Sequence, residues 1–442
     1  MAGHDIDGLI LSIPKAADVE AGNDIQNLRY NGQNLNPTDL TLIYAGRDFI
    51  DTLGTTANGS NGKNGIVQVG GPGDLDILAG RNISLGFSSG VTTGGNQFNA
   101  NLPTATGANI TMLAGLGQNP DYAGFLQTII EPSTTYQQEL VTYVEGLNGQ
   151  SNLSVAQAET EFSGFSAGQE RPFIDQVFFN ELDLSGHEAN ETPSRGYTRG
   201  YAAIDALFPG SRTGTAGNSS NPYSGSLSLT YSEIYSLSGG NITLLVPGGD
   251  INVGLANPPS SNASSGPLSK PAGELGIVAE GAGNVDIYAS SDVNVNSSRV
   301  FTLGGGNIVI WSDEGSIDAG NGAKTSLSVP PPTILFDSNG NPYLNFGAAV
   351  AGSGIRTIQV SSTEPAGNVD LIAPIGSVNA GDAGIGAAGN INIAAVTVTG
   401  VGNINFGGTA TGVPALVSNL TASLSGAAST ASAATTSAVA RA

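Results

Sequence analysis

The chain has 442 residues, and 36 acidic residues against 14 basic ones give a net charge of −22. Such an acidic surface repels phosphate backbones, so nucleic acid is not expected as a partner. The absence of cysteine excludes disulfides, thiol chemistry and Cys-bound metal sites. With 64 glycines and 39% hydrophobic residues, the composition predicts many short strands joined by tight turns rather than disorder.

A repeated motif runs along the chain. Three copies align without a gap: GGNITLLVPGGDINVG (239–254), GGNIVIWSDEGSIDAG (305–320) and AGNVDLIAPIGSVNAG (366–381). Two more, GDLDILAGRNISLG (73–86) and AGNVDIYASSDVNVN (282–296), have a shorter turn. In each copy glycine permits a turn, Asn or Asp usually follows, and alternating apolar residues indicate a half-buried strand. Strands this short must pair with neighbours.

The spacing of the repeats indicates coils stacked along one axis. The copies that begin at 282 and 305 lie one coil apart, whereas longer intervals contain Pro-rich loops at 256–273 and 328–346. We therefore predict a mainly β chain, a right-handed parallel β-helix with coils over 1–117 and 210–415. Roughly ten coils at ~4.8 Å each would make a solenoid about 50 Å long.

Four asparagines, Asn241, Asn284, Asn307 and Asn368, occupy one equivalent position of the repeat. Stacked coils would bring them into a ladder, with side-chain amides bonding along the axis. Alternatively, each Asn serves only its own turn. The sequence leaves both interpretations open, because the inserted loops could break strict stacking.

Between residues 118 and 209 the strand pattern gives way to helix signals. Apolar residues spaced three to four apart, with Ser or Thr at helix starts, predict helices over 133–146, 153–162, 172–184 and 197–208. Their apolar faces are narrow, so we expect an α-helical insertion whose helices pack together and onto the solenoid flank. The sequence does not decide whether this insertion caps, braces or binds.

The two ends of the chain carry few signals. Residues 416–442 are rich in Ala, Ser and Thr without turn signals, which predicts a low-complexity tail or a marginal helix. The first residues, MAGHDIDGLILSIP, contain a repeat motif and lack the basic and apolar regions of a secretion signal. We therefore expect the sequence to begin within the solenoid of a larger secreted protein.

Parallel β-helices also host enzymes that act on polysaccharides through carboxylates. Asp286 and Asp370 share one repeat position, which we expect to face outward or lie at a corner, where turn chemistry accounts for them. Asp313 and Glu314 beside Trp311 form the one local constellation that suggests a surface site. For Trp311, a place in a corner or in the core is the favoured interpretation.

No cofactor or metal is predicted from the sequence. His4 lies in an AGxDI turn, and His187 follows a predicted helix, where it would act as a C-terminal cap. The tandem nonapeptide of calcium-binding β-helices is absent, which leaves isolated Ca²⁺ binding at an acidic corner as the open alternative. The Gly-Lys-Ser/Thr of a phosphate-binding loop is absent as well.

Several segments carry a family resemblance when they are taken in order. They are the AGxD motifs near the N-terminus, the helical LVTYVEGL, FFNELDLSG and GYTRGYAAIDALFPG, GGNIVIWSDEGSIDAGNGAKT (305–325), PPP (330–332), AVAGSGIRT (349–357) and GNVDLIAPIGSVNAGDAGI (367–385). Together they resemble the C-terminal portion of filamentous haemagglutinin-type exoproteins, which are secreted adhesins of Gram-negative bacteria. The resemblance runs from about residue 2 to about residue 415.

The resemblance implies an extracellular protein of the bacterial cell surface, exported through an outer-membrane transporter by two-partner secretion. Its partners would be that transporter, acting through the parent protein, and a host or bacterial receptor or glycan. The family's secretion domain and toxin modules have no counterpart in this sequence. We therefore expect a non-enzymatic structural and adhesive segment, a rigid spacer with binding loops. The alternatives are a carbohydrate-active β-helix enzyme and a self-assembling filament subunit whose end coils stack.

Overall fold

The computed structural model describes residues 1–51, 66–96, 101–212, 221–256, 275–322, 333–336, 342–345 and 352–415. In these segments the chain winds into a parallel β-helix, since the strands, apart from one antiparallel pair at 333–336 and 342–345, pair in parallel with strands of the adjacent coils. One ten-stranded parallel sheet has one strand from each coil, which gives ten coils. The predicted fold class, a parallel β-helix with a helical insertion, is confirmed.

Each coil contributes strands to three parallel ladders. The long-strand ladder contains β3 (Asp18–Ala21), β6 (Leu40–Ala45), β9 (Asp74–Ala79), β12 (Asn109–Ala114), β15 (Ile242–Val246), β18 (Val285–Ala289), β21 (Ile308–Ser312), β26 (Val369–Asn379), β28 (Ile391–Thr399) and β30 (Ala410–Thr411). The short-strand ladder contains β1 (Ile6–Asp7), β4 (Ile25–Gln26), β7 (Phe49–Ile50), β10 (Ile83–Ser84), β13 (Leu227–Ser228), β16 (Ile251–Asn252), β19 (Val293–Asn294), β22 (Ile317–Asp318) and the C-terminal halves of β26 and β28. The third ladder contains β2 (Ile10–Ile13), β5 (Arg29–Gln33), β8 (Ile66–Gly70), β11 (Gly90–Thr93), β14 (Glu233–Ser236), β17 (Gly276–Glu280), β20 (Arg299–Leu303), β25 (Gly354–Ile358), β27 (Ile385–Ala387) and β29 (Ile404–Phe406).

A single hydrophobic core fills the inside of the coils. In β15, Ile242, Leu244 and Val246 point inward and are fully buried, as the alternating pattern predicts. The same core continues without a break from Val19 near the first coil to Ile404 in the last. Because each coil packs mainly on its neighbours, the repeats must stack to bury this core.

The glycine before each repeated asparagine is required by the distance between coils. A Cβ on Gly283, Gly306 or Gly367 would lie 1.9 to 2.2 Å from a carbonyl oxygen of the preceding coil. The residue before it has a different role, because Gly239 and Gly305 have φ angles of +94° and +111° in the left-handed region. The Gly-Gly-Asn motif therefore combines a turn with a close backbone contact.

The insertion leaves the solenoid after β12 and returns at β13. Its helices are α1 (Tyr122–Phe125), which continues into a π-helical turn (Leu126–Ile130), α2 (Thr134–Asn148), α3 (Val155–Phe162), α4 (Ala167–Ala189) and α5 (Thr198–Leu207). The four predicted helices are α2 to α5. Helix α4 starts before the predicted position because Ser166 and Gln169 form a capping box there. The described helices include none with the length and apolar character needed to span a membrane.

The inserted loops and the tail are described only in part. Within the predicted loop at 328–346, β23 (Thr333–Phe336) and β24 (Pro342–Asn345) pair as an antiparallel hairpin. The predicted loop at 256–273, apart from residue 256, and the predicted tail at 416–442 lie outside the described residues.

Candidate functional site

The outer face of the long-strand ladder carries three rows of side chains, because inward and outward residues alternate along each strand. The asparagine row, just before each strand or at its first residue, consists of Asp74, Asn109, Asn241, Asn284, Asn307, Asn368 and Asn390. The polar row consists of Leu42, Asp76, Thr111, Thr243, Asp286, Val309, Asp370 and Asn392. The apolar row consists of Tyr44, Leu78, Leu113, Leu245, Tyr288, Trp311, Ile372 and Ala394.

Helix α4 lies on this face and runs parallel to the axis of the coils. The start of α4 packs on β6, where Gly168 contacts Leu40. At the end of the helix, Asn190 donates a hydrogen bond to Asn392 Oδ1 of β28 (2.8 Å). A helix of 23 residues is about 34 Å long, and eight coils spaced ~4.8 Å apart span about the same length. A Cβ on Gly186 would lie 2.5 Å from Ile372, so glycine allows the close approach.

The apolar row attaches the insertion to the solenoid. It forms one hydrophobic cluster with the inner faces of the helices, separate from the core of the coils. The Tyr288 ring lies 5.4 Å from Phe178 and 5.7 Å from Phe208 between centroids. Trp311 is fully buried and packs edge-on against Tyr201 of α5 at 6.0 Å. The helices therefore brace the outer face of the sheet over many coils.

A buried ion pair joins α4 to the polar row. The Arg171 guanidinium contacts the Asp76 carboxylate, and their side chains are only 7% and 4% exposed. Arg171 Nε also donates to the hydroxyl of Tyr122 (3.1 Å). One turn later, Asp175 is buried, and its Oδ2 has no hydrogen-bond partner among the described residues. Burial raises the pKa of Asp175 to about 8, although the positive charge of Arg171 opposes the rise.

A groove of about 340 Å³ lies between α4 and the asparagine row. On the solenoid side it is lined by Asn241, Asn284 and Asn307, whose Nδ2 groups donate to no described residue. Asp175 and Gln176 lie on the α4 side. The groove therefore combines amide donors with carboxylate and amide acceptors, which is the hydrogen-bonding chemistry that recognises a polar, hydroxyl-bearing ligand.

The carboxyls around the groove are difficult to ionise. Burial raises the pKa of Asp286 to about 7, and the nearby charge of Asp183 adds to the rise. Burial also raises the pKa of Asp183 to about 7, with a further contribution from Asp370. Near neutral pH the groove therefore contains carboxyls that can both donate and accept hydrogen bonds.

Three potential metal ligands meet at the end of this groove. His187 Nε2 lies 3.0 Å from Asp370 Oδ1 and 3.5 Å from Asp183 Oδ1, and the ligand atoms lie within 4.8 Å of one another. Two of them come from successive turns of α4 and the third from β26. The predicted role of His187 as a helix C-cap is wrong, because its side chain turns toward the sheet from the last turn of α4.

The structure places the four asparagines of the predicted ladder in one column. Asn241 Oδ1 accepts a hydrogen bond from the backbone N–H of Asn284 (2.9 Å). Asn284 Oδ1 accepts from Asn307, and Asn307 Oδ1 accepts from Asn368, again at 2.9 Å. The acceptor is the side chain and the donor is the backbone of the next coil, so these bonds link coils without an amide-to-amide stack. They continue past the inserted loops, at Asn390 and Thr409.

The suggested surface site at Trp311, Asp313 and Glu314 is not formed. Trp311 is fully buried and Asp313 is only 2% exposed, because α5 and the following segment cover them. Asp313 accepts a hydrogen bond from Trp311 Nε1 (3.2 Å) and lies 3.3 Å from Arg212. Glu314, the next residue, is exposed. The three residues cannot contact a ligand together.

The surroundings of Asp286 and Asp370 differ from the predicted outward or corner position. Asp286 and Asp370 do point away from the core of the coils, but α4 covers them, and Asp370 is only 6% exposed. Sequence reasoning missed Asp175, Arg171 and the groove. No local motif marks them, since their partners lie about a hundred or more residues away along the chain.

Residues 305–415 match a family model described as filamentous haemagglutinin family outer membrane protein. This match supports a filamentous haemagglutinin-type region over these residues, in agreement with the sequence resemblance. It contains Trp311, Asp370 and the last coils of the solenoid. No curated protein matches the chain, and no solved structure matches it.

Proposed function

We propose that this chain is a non-enzymatic structural and adhesive segment of a secreted bacterial surface filament. The observation that carries the proposal is the single core that continues through ten coils, with α4 braced along the coils. Such stacking gives a stiff spacer, because bending it would break hydrogen bonds and core contacts in successive coils. The filamentous haemagglutinin-type region at 305–415 supports a location at the cell surface or outside the cell.

The proposed mechanism assigns different tasks to different parts. The solenoid keeps distance between the cell and the contact point, and the insertion presents the groove. Its hydrogen-bonding groups fit a host or bacterial glycan, or a polar receptor surface. Export would depend on an outer-membrane two-partner transporter acting on the parent protein. The Pro-rich loops remain further proposed contact surfaces, and self-association through end coils remains a proposed alternative.

Binding of the labelled chain to bacterial cells, epithelial cells and a glycan array tests the adhesive role. Gln176→Arg places a long side chain at the exposed mouth of the groove, so we expect it to reduce binding at least tenfold. Gln138→Arg is the matched control, because Gln138 is exposed on α2 and does not line the groove. Equal binding by both variants would refute the groove as the contact surface. Fibres that grow with protein concentration would instead favour the filament subunit.

A carbohydrate-active enzyme is the second candidate, and one observation favours it. Asp175 and Asp286 line the same groove with pKa values raised to about 8 and 7, the protonation behaviour expected of a general acid. Turnover of a polysaccharide panel that is lost in Asp175→Asn would establish this function. Binding without turnover would support the adhesive segment.

A further inference from the structure

The cluster at the end of the groove has the composition of a metal site. Asp183 and His187 are four residues apart on α4 and therefore lie on one face of the helix. Asp370 stands opposite them on β26, in the polar row. Two carboxylates and one imidazole form a mixed oxygen and nitrogen ligand set. This set suits Zn²⁺ or Mn²⁺ better than Ca²⁺, because Ca²⁺ prefers oxygen ligands only.

The two distances from His187 Nε2 suit ligands around one small ion. Four-coordinate Zn²⁺ with bonds of about 2.0 to 2.1 Å holds its ligand atoms roughly 3.3 to 3.4 Å apart. The two separations from His187 Nε2, 3.0 Å to Asp370 Oδ1 and 3.5 Å to Asp183 Oδ1, bracket this value. The imidazole is half exposed and Asp183 is partly exposed, so an ion can enter from solvent.

Two atoms near the cluster lack hydrogen-bond partners among the described residues. The first is the buried Oδ1 of Asp183, which lies beyond hydrogen-bond distance from His187. The second is Nδ2 of Asn392, whose side chain is next to Asp370 in the ladder and only 2% exposed. An ion would satisfy the Asp183 oxygen, and a water molecule on the ion would give Asn392 an acceptor.

We propose that Asp183, His187 and Asp370 bind one divalent transition-metal ion of the Zn²⁺ or Mn²⁺ type, with a water molecule completing its coordination. The ion fastens the last turns of α4 to β26 and so secures the insertion on the solenoid. It also reduces the repulsion between Asp183 and Asp370, whose ligand oxygens lie within 4.8 Å of each other. Asp183 also lines the groove, but binding of the ion requires neither a glycan in the groove nor the proposed adhesive role.

The two histidines of the chain allow a direct test in the intact protein. The full chain, treated with chelator and labelled with ¹³C-histidine, is titrated with ZnCl₂ at pH 8, and the two imidazole signals are assigned with His4→Gln. We expect the His187 signal to shift and saturate at one equivalent while the exposed His4 signal stays in place. A shift of His4 alone, or of neither signal, would overturn the proposal.

Calorimetry with variants gives the second measurement. Asp183→Asn, His187→Gln and Asp370→Asn should each lower Zn²⁺ affinity at least tenfold, whereas His4→Gln and the exposed Asp382→Asn should not. Fluorescence of the single tryptophan, Trp311, checks that the insertion remains docked in each variant. Unchanged affinity in a docked His187→Gln variant contradicts the site. Binding of Ca²⁺ or Mg²⁺ as tight as that of Zn²⁺ contradicts the proposed class of ion.

Discussion

Replacement of Arg171 by methionine tests whether the insertion depends on its buried ion pair. Methionine keeps an unbranched apolar side chain but removes the guanidinium that contacts Asp76. Both partners are more than nine-tenths buried, so the change leaves an unpaired carboxylate in a site that water cannot reach. Removal of one partner of a buried pair costs about 3 to 5 kcal/mol. Asp175 also loses the positive charge that opposes the rise in its pKa.

The double variant Arg171→Met/Asp76→Leu separates the charge effect from lost packing. Leucine already stands at the equivalent position of the preceding coil, Leu42, so the polar row has a precedent for it. Replacing both charges by apolar groups is often nearly neutral, and we expect the double variant to recover all but about 1 kcal/mol. Arg195→Met is the matched control, since Arg195 is 64% exposed and its ion pair with Glu191 contributes at most about 0.5 kcal/mol.

Urea unfolding followed by fluorescence provides the assay. The single tryptophan, Trp311, packs between the solenoid and α5, so its emission reports docking of the insertion. Circular dichroism recorded in parallel reports whether insertion and coils unfold together. A loss below about 1 kcal/mol in Arg171→Met would refute the reasoning, because that is far less than a stranded buried charge costs. Equal destabilisation of the single and double variants would refute it as well.

Three further predictions concern other parts of the molecule. Trp311→Ala should cost about 3 to 5 kcal/mol and speed proteolysis within 118–209, whereas Trp311→Phe should cost less, because Trp311 is fully buried between insertion and sheet. Asn307→Ala should cost about 1 kcal/mol in chemical denaturation, whereas Asn307→Asp should keep most stability because it retains an acceptor for the Asn368 N–H. The free energy of unfolding should fall as the pH rises from 5.5 to 8. The reason is that Asp175 and Asp286 have pKa values of about 8 and 7 in the folded chain and ~3.9 in the unfolded chain, so the folded chain binds more protons across this range. A urea midpoint that does not change with pH over this range would contradict the assigned pKa values. The same holds if the midpoint of Asp175→Asn depends on pH as steeply as that of the unchanged chain.

The repeat motif alone was sufficient to predict the solenoid. Alternating apolar residues such as Ile242, Leu244 and Val246 fixed which side chains point inward, and the spacing of the copies fixed the length of a coil. These features are local and periodic, so they are visible without knowledge of distant contacts. The short helix α1 was missed because four residues followed by a π-helical turn leave no clear period.

The sequence by itself determined the parallel β-helix, the position of the helical insertion and the family resemblance of the C-terminal coils. Tertiary structure alone decided that α4 lies along the axis over the polar row, which buries Trp311 and Asp313 and joins His187 to Asp370. The physical reason is that coils and helices form from contacts between near neighbours in the chain. The groove and its ligands instead depend on contacts between α4 and strands as many as two hundred residues away.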